Sequence, residues 1–269
     1  MDYVEKRKQG RKRIFKKMLK ENDKKERIEN NRSHPIAIKN EMIIKSIYSN
    51  LTLQEKKLYR FILSLIKKDD DINSTFILRH TQLREMFKTK AKTYTSKVIF
   101  DMLHNISSSF SFENGDKYIS IPIFKWIETS KDKETTQVIF NEFFNKFLFL
   151  AFDKGNFLKY ELSNILDYKN LHSPELFELL YSTVRKNQRE EIVSISFSID
   201  KLKQYLNCEK QETKDFIKQV IKKSIEEINK YNERILGGTI QYKYDRTKKT
   251  ITFYIENIAY MLKQEKKSR

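Results

Sequence analysis

Between positions 211 and 229 the chain reads QETKDFIKQVIKKSIEEIN. Wound as a helix at 100° per residue, it sets Phe216, Ile217, Val220, Ile221, Ser224, Ile225 and Ile228 on one broad apolar arc, which must face a core. Beside that arc fall Gln211, Lys214, Lys218, Lys222 and Asn229, with Thr213 near the helix start, while Glu212, Asp215, Glu226 and Glu227 lie elsewhere on the wheel. Lysines neutralise phosphates and amides read base edges, so an arc of both without carboxylates suits the major groove of duplex DNA. A solvated face with scattered charge is the competing reading. Downstream, Asp245-Arg246-Thr247-Lys248-Lys249 is a basic turn between two β-like runs, and Arg246, Lys248 and Lys249 suit a wing lying along a phosphate backbone. A second, weaker set precedes it. A predicted helix over 93–107 turns Val98, Ile99, Met102, Leu103 and Ile106 inward and leaves Thr93, Ser96, Lys97 and His104 on its polar side, preceded by Lys88, Lys90 and Lys92. Phe100 projects toward the same side, either under a neighbouring hairpin or toward another domain. Tyr94 contacts a phosphate or packs the helix start against a sheet.

Covalent and metal chemistry find little support. The single cysteine, Cys208, forms no intrachain disulfide, and the four histidines (His34, His80, His104, His172) have no paired spacing for zinc. The five glycines fit neither a P-loop nor a dinucleotide fingerprint. A nicking enzyme needs a histidine pair or an Arg/His/Arg set around a tyrosine, and His80 with Arg84 alone does not make one. Asp69-Asp70-Asp71 reads as a solvated loop rather than a cation site. No enzyme, cofactor or metal is expected.

The elements that must position the basic residues follow from periodicity. Thr52-Leu-Gln-Glu55 has capping-box spacing, and Leu58, Phe61, Ile62, Leu65 and Ile66 recur on one helical face. A strand at Thr75–Arg79 leads to short helices near Gln82–Phe87 and 93–107. A strand pair about Asn114-Gly115, taken as 108–113 and 117–127, then a turn at 129–134 and a strand at 135–140 complete a helix-turn-helix with a hairpin. After a short helix over 143–150 and a connector through Tyr160, the order recurs. Ser173-Pro174 caps a helix with Leu176, Phe177, Leu180, Tyr181 and Val184 inward. A strand near 191–198, a short helix at 199–207, the long helix at 212–231, and a hairpin at 239–244 and 250–255 follow, with Gly237-Gly238 marking the turn. Aligning Leu83 with Leu202 and Val98 with Val220 gives an architectural repeat of about 120 residues, without sequence identity. The predicted fold is α+β: two tandem winged-helix domains, 34–155 and 156–257, with a basic arm at 1–33 and a basic tail at 258–269. Trp126, amid Ile121, Ile123, Phe124 and Ile127, is expected in a core or subunit interface.

Charge sets the partner class. Lys and Arg number 54 against 36 Asp and Glu, a net charge of +18 with 39% hydrophobic residues over 269 positions, so the chain buries cores and seeks a polyanion. Residues 1–32 alone hold thirteen Lys/Arg against six Asp/Glu, either a solubilising tail or a phosphate-contacting arm. No apolar run approaches the roughly 18 residues that cross a bilayer, and no signal-peptide segment opens the chain, so no membrane and a cytoplasmic location are expected.

With these elements in order, several strings resemble the plasmid replication initiator (Rep) proteins. They are Lys39-Asn-Glu-Met-Ile-Ile44 leading to Leu51-Thr-Leu-Gln-Glu-Lys-Lys-Leu58, and Phe124-Lys-Trp126 followed by Val138-Ile-Phe140. In the second half they are Ser173-Pro-Glu-Leu-Phe-Glu-Leu-Leu180, Ile199-Asp-Lys-Leu202 and the helix Phe216–Asn229. The resemblance spans about 34–257, and the ordered combination carries it. It implies a non-enzymatic initiator that binds origin direct repeats (iterons) on double-stranded DNA as a monomer, helps open AT-rich DNA, and recruits the host replicative helicase and initiator proteins. A homodimer through domain 1 would repress its own promoter. Base readout then falls on Gln211, Thr213, Lys214 and Lys218. The long basic arm departs from the family pattern. A tandem winged-helix transcriptional regulator and an RNA-binding protein fit the same charge; a nuclease lacks its constellation.

Overall fold

The computed structural model describes residues 50–66, 70, 73–88, 94–108, 110–114, 116–132, 134–144, 158–186, 190–231 and 238–257, and the backbone of 35–38. The basic arm and tail, the apolar stretch at 42–47, most of 143–150, and Asp69 and Asp71 lie outside these residues.

The first half begins with strand β1 (Pro35–Ile38) beside helix α1 (Leu53–Ser64). The capping box forms: Thr52 Oγ1 accepts the Glu55 N–H at 3.3 Å, and Glu55 Oε2 accepts the Thr52 N–H at 2.8 Å. These bonds satisfy two of the donors that a helix start leaves unpaired. Leu58, Phe61 and Ile62 are fully buried in the core. Strand β2 (Thr75–Arg79) runs straight into α2 (His80–Met86), and α3 (Ser96–Ser108) follows. A separate two-stranded hairpin, β3 (Ser111–Asn114) and β4 (Lys117–Ser120), precedes β5 (Phe124–Ser130) and β6 (Thr135–Phe140). The strand expected over 117–127 is therefore two strands. Pro122, which has no N–H to give a ladder, stands between them. The sheet order is β2-β6-β5, with an irregularity between Phe124 and Trp126. Trp126 is 39% exposed, so it is not core.

The connector expected through Tyr160 contains β7 (Leu158–Glu161), which pairs antiparallel with β1 from Pro35↔Glu161 to Ile38↔Leu158. This pairing joins residues 120 to 126 positions apart, and no local periodicity announces it. A short helix, α4 (Ser163–Leu166), leads to α5 (Ser173–Lys186). Ser173 is the first helical residue, not the cap, and its buried Oγ has no hydrogen-bond partner among the described residues. Strand β8 (Ile192–Ser198), helix α6 (Ile199–Tyr205), the long helix α7, and strands β9 (Ile240–Asp245) and β10 (Thr250–Glu256) complete the second half in sheet order β8-β10-β9. Helix α7 runs Thr213–Asp215, Phe216–Lys222, Lys223–Tyr231, its middle stretch being π-helical.

The two halves repeat to the level of single bonds. Each second helix starts by donating its first N–H to the last residue of the wing turn: His80 to the Glu134 carbonyl and Ile199 to the Lys249 carbonyl, both 2.9 Å. Among the described residues, the non-glycine residues at positive φ come in matching pairs, Lys88 with Asn207 just beyond the second helix, and Glu134 with Lys249 just before the last strand. Leu83 and Leu202, aligned on sequence grounds, are both fully buried; of the other aligned pair Val220 is buried, but Val98 is 39% exposed and does not turn inward as expected. These are two winged-helix domains of one design, and their buried apolar residues form one continuous cluster.

Gly238 shows how tightly the second hairpin closes. A Cβ there would lie 2.4 Å from Glu256 Cβ and 2.5 Å from the Glu256 carbonyl oxygen. Backbone cannot yield such space cheaply, so Gly238→Ala is expected to cost about 1–3 kcal/mol. Chemical denaturation measures it, and an unchanged midpoint would contradict the close approach.

Candidate nucleic-acid interface

Helix α7 is held from one side. Phe216, Val220, Ile221, Ser224, Ile225 and Ile228 are buried, as the apolar arc requires, while Ile217 is only partly covered. Gln211, Lys214, Lys218 and Lys222 are exposed, and Thr213 is half-buried at the helix start. The carboxylate-free arc holds for Lys214 and Lys218; Lys222 Nζ lies 3.8 Å from Glu226 Oε1 one turn on, a weak exposed pair. Asn229 does not belong to the outward face. Its side-chain amide donates to the Ile240 carbonyl and accepts the Ile240 N–H, both at 2.9 Å, and so pins β9 to the helix.

The turn before α7 has an internal support that helical periodicity does not reveal. The largely buried Lys203 reaches from α6 to donate to the Gln211 carbonyl. The Gln211 N–H donates to the Cys208 carbonyl at 3.0 Å, so Gln211 enters α7 from a fixed turn. Cys208 is itself buried, and burial pushes its thiol up to about 11. It is a packing residue.

The wing tip is equally ordered. Asp245 Oδ1 accepts the N–H groups of Thr247 at 2.9 Å and Lys248 at 3.0 Å, an Asx turn that spends the carboxylate on the backbone. Arg246, Lys248 and Lys249 are left exposed. The first wing differs: its Glu134 accepts from Arg84 Nη2 at 2.6 Å, and that hydrogen bond holds the Glu134 carboxyl below its ordinary value.

In the first domain Lys90, Lys92 and Thr93 lie outside the described residues. Ser96 is half-buried and its Oγ is 3.3 Å from His80 Nδ1, while Lys97 is exposed with its Nζ 2.6 Å from Asp101 Oδ1. Tyr94 packs rather than reaching outward: it is buried, stacks on Phe87 at 5.2 Å, and its hydroxyl donates to Gln54 Oε1 at 3.1 Å. Sequence periodicity missed His80 as the hub. Its Nε2 lies 2.9 Å from Thr136 Oγ1, which is 3.0 Å from Thr129 Oγ1, so one buried ring ties α2, the start of α3 and both wing strands.

Burial also sets the titration of this scaffold. It holds the His80 and His172 imidazoles below their ordinary value, with the Lys56 ammonium adding to the effect at His172. Each ring then binds fewer protons folded than unfolded, so stability is full above the unfolded value of about 6.5 and is lost as pH falls below it. The thermal midpoint is expected to drop by several degrees between pH 7 and pH 5. A flat midpoint over that interval would contradict it.

Helix α1 meets α5 and the segment before it through charge. On α1, Lys56, Lys57 and Arg60 are at most 5% exposed and face the second half. Arg60 donates from Nε to Glu178 Oε1 at 2.6 Å and from Nη2 to Glu178 Oε2 at 2.8 Å. Glu175 Oε1 lies 2.9 Å from Lys56 Nζ and 3.7 Å from Arg60 Nη2, yet its carboxylate makes no directional hydrogen bond, so charge alone compensates it. Lys57 Nζ donates to the Leu166 and Tyr168 carbonyls, both at 2.6 Å. Burial draws Lys57 down to about 8, with Glu227 and Asp167 opposing.

The chain thus folds as two winged helices in tandem, with exposed basic residues along α7 and at the second wing. Family comparison makes this more specific: residues 36–181 match the model "Initiator Replication protein, WH1" and residues 198–255 match "Initiator Rep protein, WH2". The chain therefore belongs to the replication initiator (Rep) family, and it is a DNA-binding replication initiator rather than an enzyme. Among solved structures it is similar to the Pi initiator protein in complex with iteron DNA, with a TM-score of 0.67 at 16% identity, covering 84% of this chain and 98% of that one. Domains 2 and 3 of RctB align with a TM-score of 0.42 at 10% identity over 81% of each chain. No curated protein matches significantly. Among the described residues, no cluster of His, Cys, Asp and Glu is arranged to hold a metal, and no helix is long and apolar enough to cross a membrane.

Proposed function

We propose that the protein initiates plasmid replication in the cytoplasm by binding directly repeated origin sequences, with α7 and α3 in successive major grooves. Grooves on one face of the duplex recur about every 34 Å, a span that two linked domains can cover. Gln211, Thr213, Lys214 and Lys218 read or anchor one half of each repeat, Lys222 and the wing residues Arg246, Lys248 and Lys249 hold its backbone, and Ser96 and Lys97, with Lys90, Lys92 and Thr93, meet the other half. The bound protein then promotes opening of adjacent DNA and recruits the host helicase and initiator proteins; a homodimer through the first domain represses its own promoter. The domain limits 34–155 and 156–257, with basic segments on both sides, belong to the same reading.

The observation that carries it is the outward face of α7 and its wing: Lys214, Lys218, Arg246, Lys248 and Lys249 are exposed, and no ion pair engages them among the described residues. An origin plasmid lacking its own copy of the gene tests the function. Maintenance when the protein is supplied in trans is expected, with loss for Lys218→Ala. Repression of a reporter without plasmid maintenance would instead identify a transcriptional regulator, and stronger binding to RNA than to duplex DNA would remove the initiator reading.

A further inference from the structure

Helix α3 occupies in the first domain the place that α7 occupies in the second, but its outward face is built from different chemistry. Phe100 lies there half-buried, outside the apolar cluster that takes in Ile99, Met102, Leu103 and Ile106. Two side chains of α3 itself lie against the ring. The His104 imidazole lies nearly parallel to the Phe100 ring, at 9° with centroids 6.5 Å apart, and Lys97 Nζ sits 5.6 Å from the ring centroid. Val98, one position before Ile99, is a further 39% exposed. The ammonium beside the ring is itself paired, Lys97 Nζ being 2.6 Å from Asp101 Oδ1. The face is therefore aromatic and close to neutral, where that of α7 is a line of lysines.

We propose that Phe100 is a specificity-determining residue that reads thymine 5-methyl groups in the half of the repeat contacted by the first domain. This rests on the proposed placement of α3 in a major groove. The thymine methyl is the apolar group that the major groove displays, and a phenylalanine edge is among the side chains that recognise it. A neutral Lys97–Asp101 pair suits that task, since desolvating the face against a base edge then strands no lone charge. His104 and Lys97 brace the ring on its own helix. The halves of the repeat are thus read differently: the second domain by cations and an amide, the first by apolar contact.

The test uses the full chain and duplexes carrying the footprinted repeat. Thymines in one half or the other are replaced by deoxyuridine, which removes the methyl and leaves the hydrogen-bonding edges intact. The parent is expected to lose about fourfold in affinity per contacted methyl in the first domain's half. Phe100→Ala should bind the thymine duplex as weakly as the parent binds the uridine duplex, and should show no further loss on uridine. Phe100→Leu should keep part of the methyl sensitivity. Because Phe100 lies outside the core cluster, the unfolding midpoint of Phe100→Ala is the control and should match the parent. Equal uridine penalties for parent and Phe100→Ala would overturn the assignment, as would a parent indifferent to uridine in that half. Specific protection of the repeat persisting in either case would confine the failure to Phe100. Loss of specific protection altogether would strike the proposed DNA reading itself.

Discussion

Replacing Lys214, Lys218 and Lys222 together with alanine is expected to lower affinity for the recognised repeat by on the order of 100-fold at moderate salt. The figure follows from treating each lysine as one exposed ion pair with phosphate, worth at most about 1 kcal/mol, or roughly fivefold. Lys218→Ala alone then costs about fivefold. Each lost phosphate contact also releases about one counterion fewer, so the slope of log affinity against log salt should flatten by about three units. The three side chains are exposed and lie off the buried arc of Phe216, Val220 and Ile221, so the fold has little reason to respond. Anisotropy titrations over a salt series read both quantities. An unchanged slope would mean that α7 does not face the backbone.

The second large effect concerns the buried contact between α1 and α5. Arg60→Ala removes the bidentate partner of the Glu178 carboxylate, 2% exposed, and breaking a buried ion pair by removing one side costs about 3–5 kcal/mol. The paired replacement Arg60→Met with Glu178→Leu removes both charges and should recover most of the loss, because desolvation offsets much of what a buried pair contributes. Denaturant unfolding distinguishes them. A loss below about 1 kcal/mol for Arg60→Ala would show that water enters this contact.

What the sequence disclosed depended on whether the signal was local. The capping box at Thr52–Glu55, the apolar arc of α7 and the order of strand, helix, helix and hairpin are all encoded within one or two helical turns or a single alternation, and each is present. The β1–β7 pairing was not legible, since its partners are joined only in three dimensions. Nor was the burial of Lys56, Lys57 and Arg60, three cations that would face solvent on an ordinary amphipathic helix. A signal for it did exist: Glu175 and Glu178, three apart on α5, complement Lys56 and Arg60, four apart on α1. Among the site residues, periodicity found the exposed lysines of α7 but placed Asn229 with them, because a helical wheel cannot say that a neighbouring strand will claim an amide. Phe100 was seen to point outward, and only its position beside Lys97 and His104, outside the core cluster, gives that orientation a use.

Footprinting of the full chain on DNA carrying its gene and flanks, over a salt series, tests the central claim most directly. Non-specific contacts fade as salt displaces protein cations from phosphate, whereas base readout persists further. Protection of regularly spaced direct repeats at moderate salt, each covering two successive major grooves on one face, is the predicted result. Binding that vanishes with salt and leaves no protected repeat would contradict it.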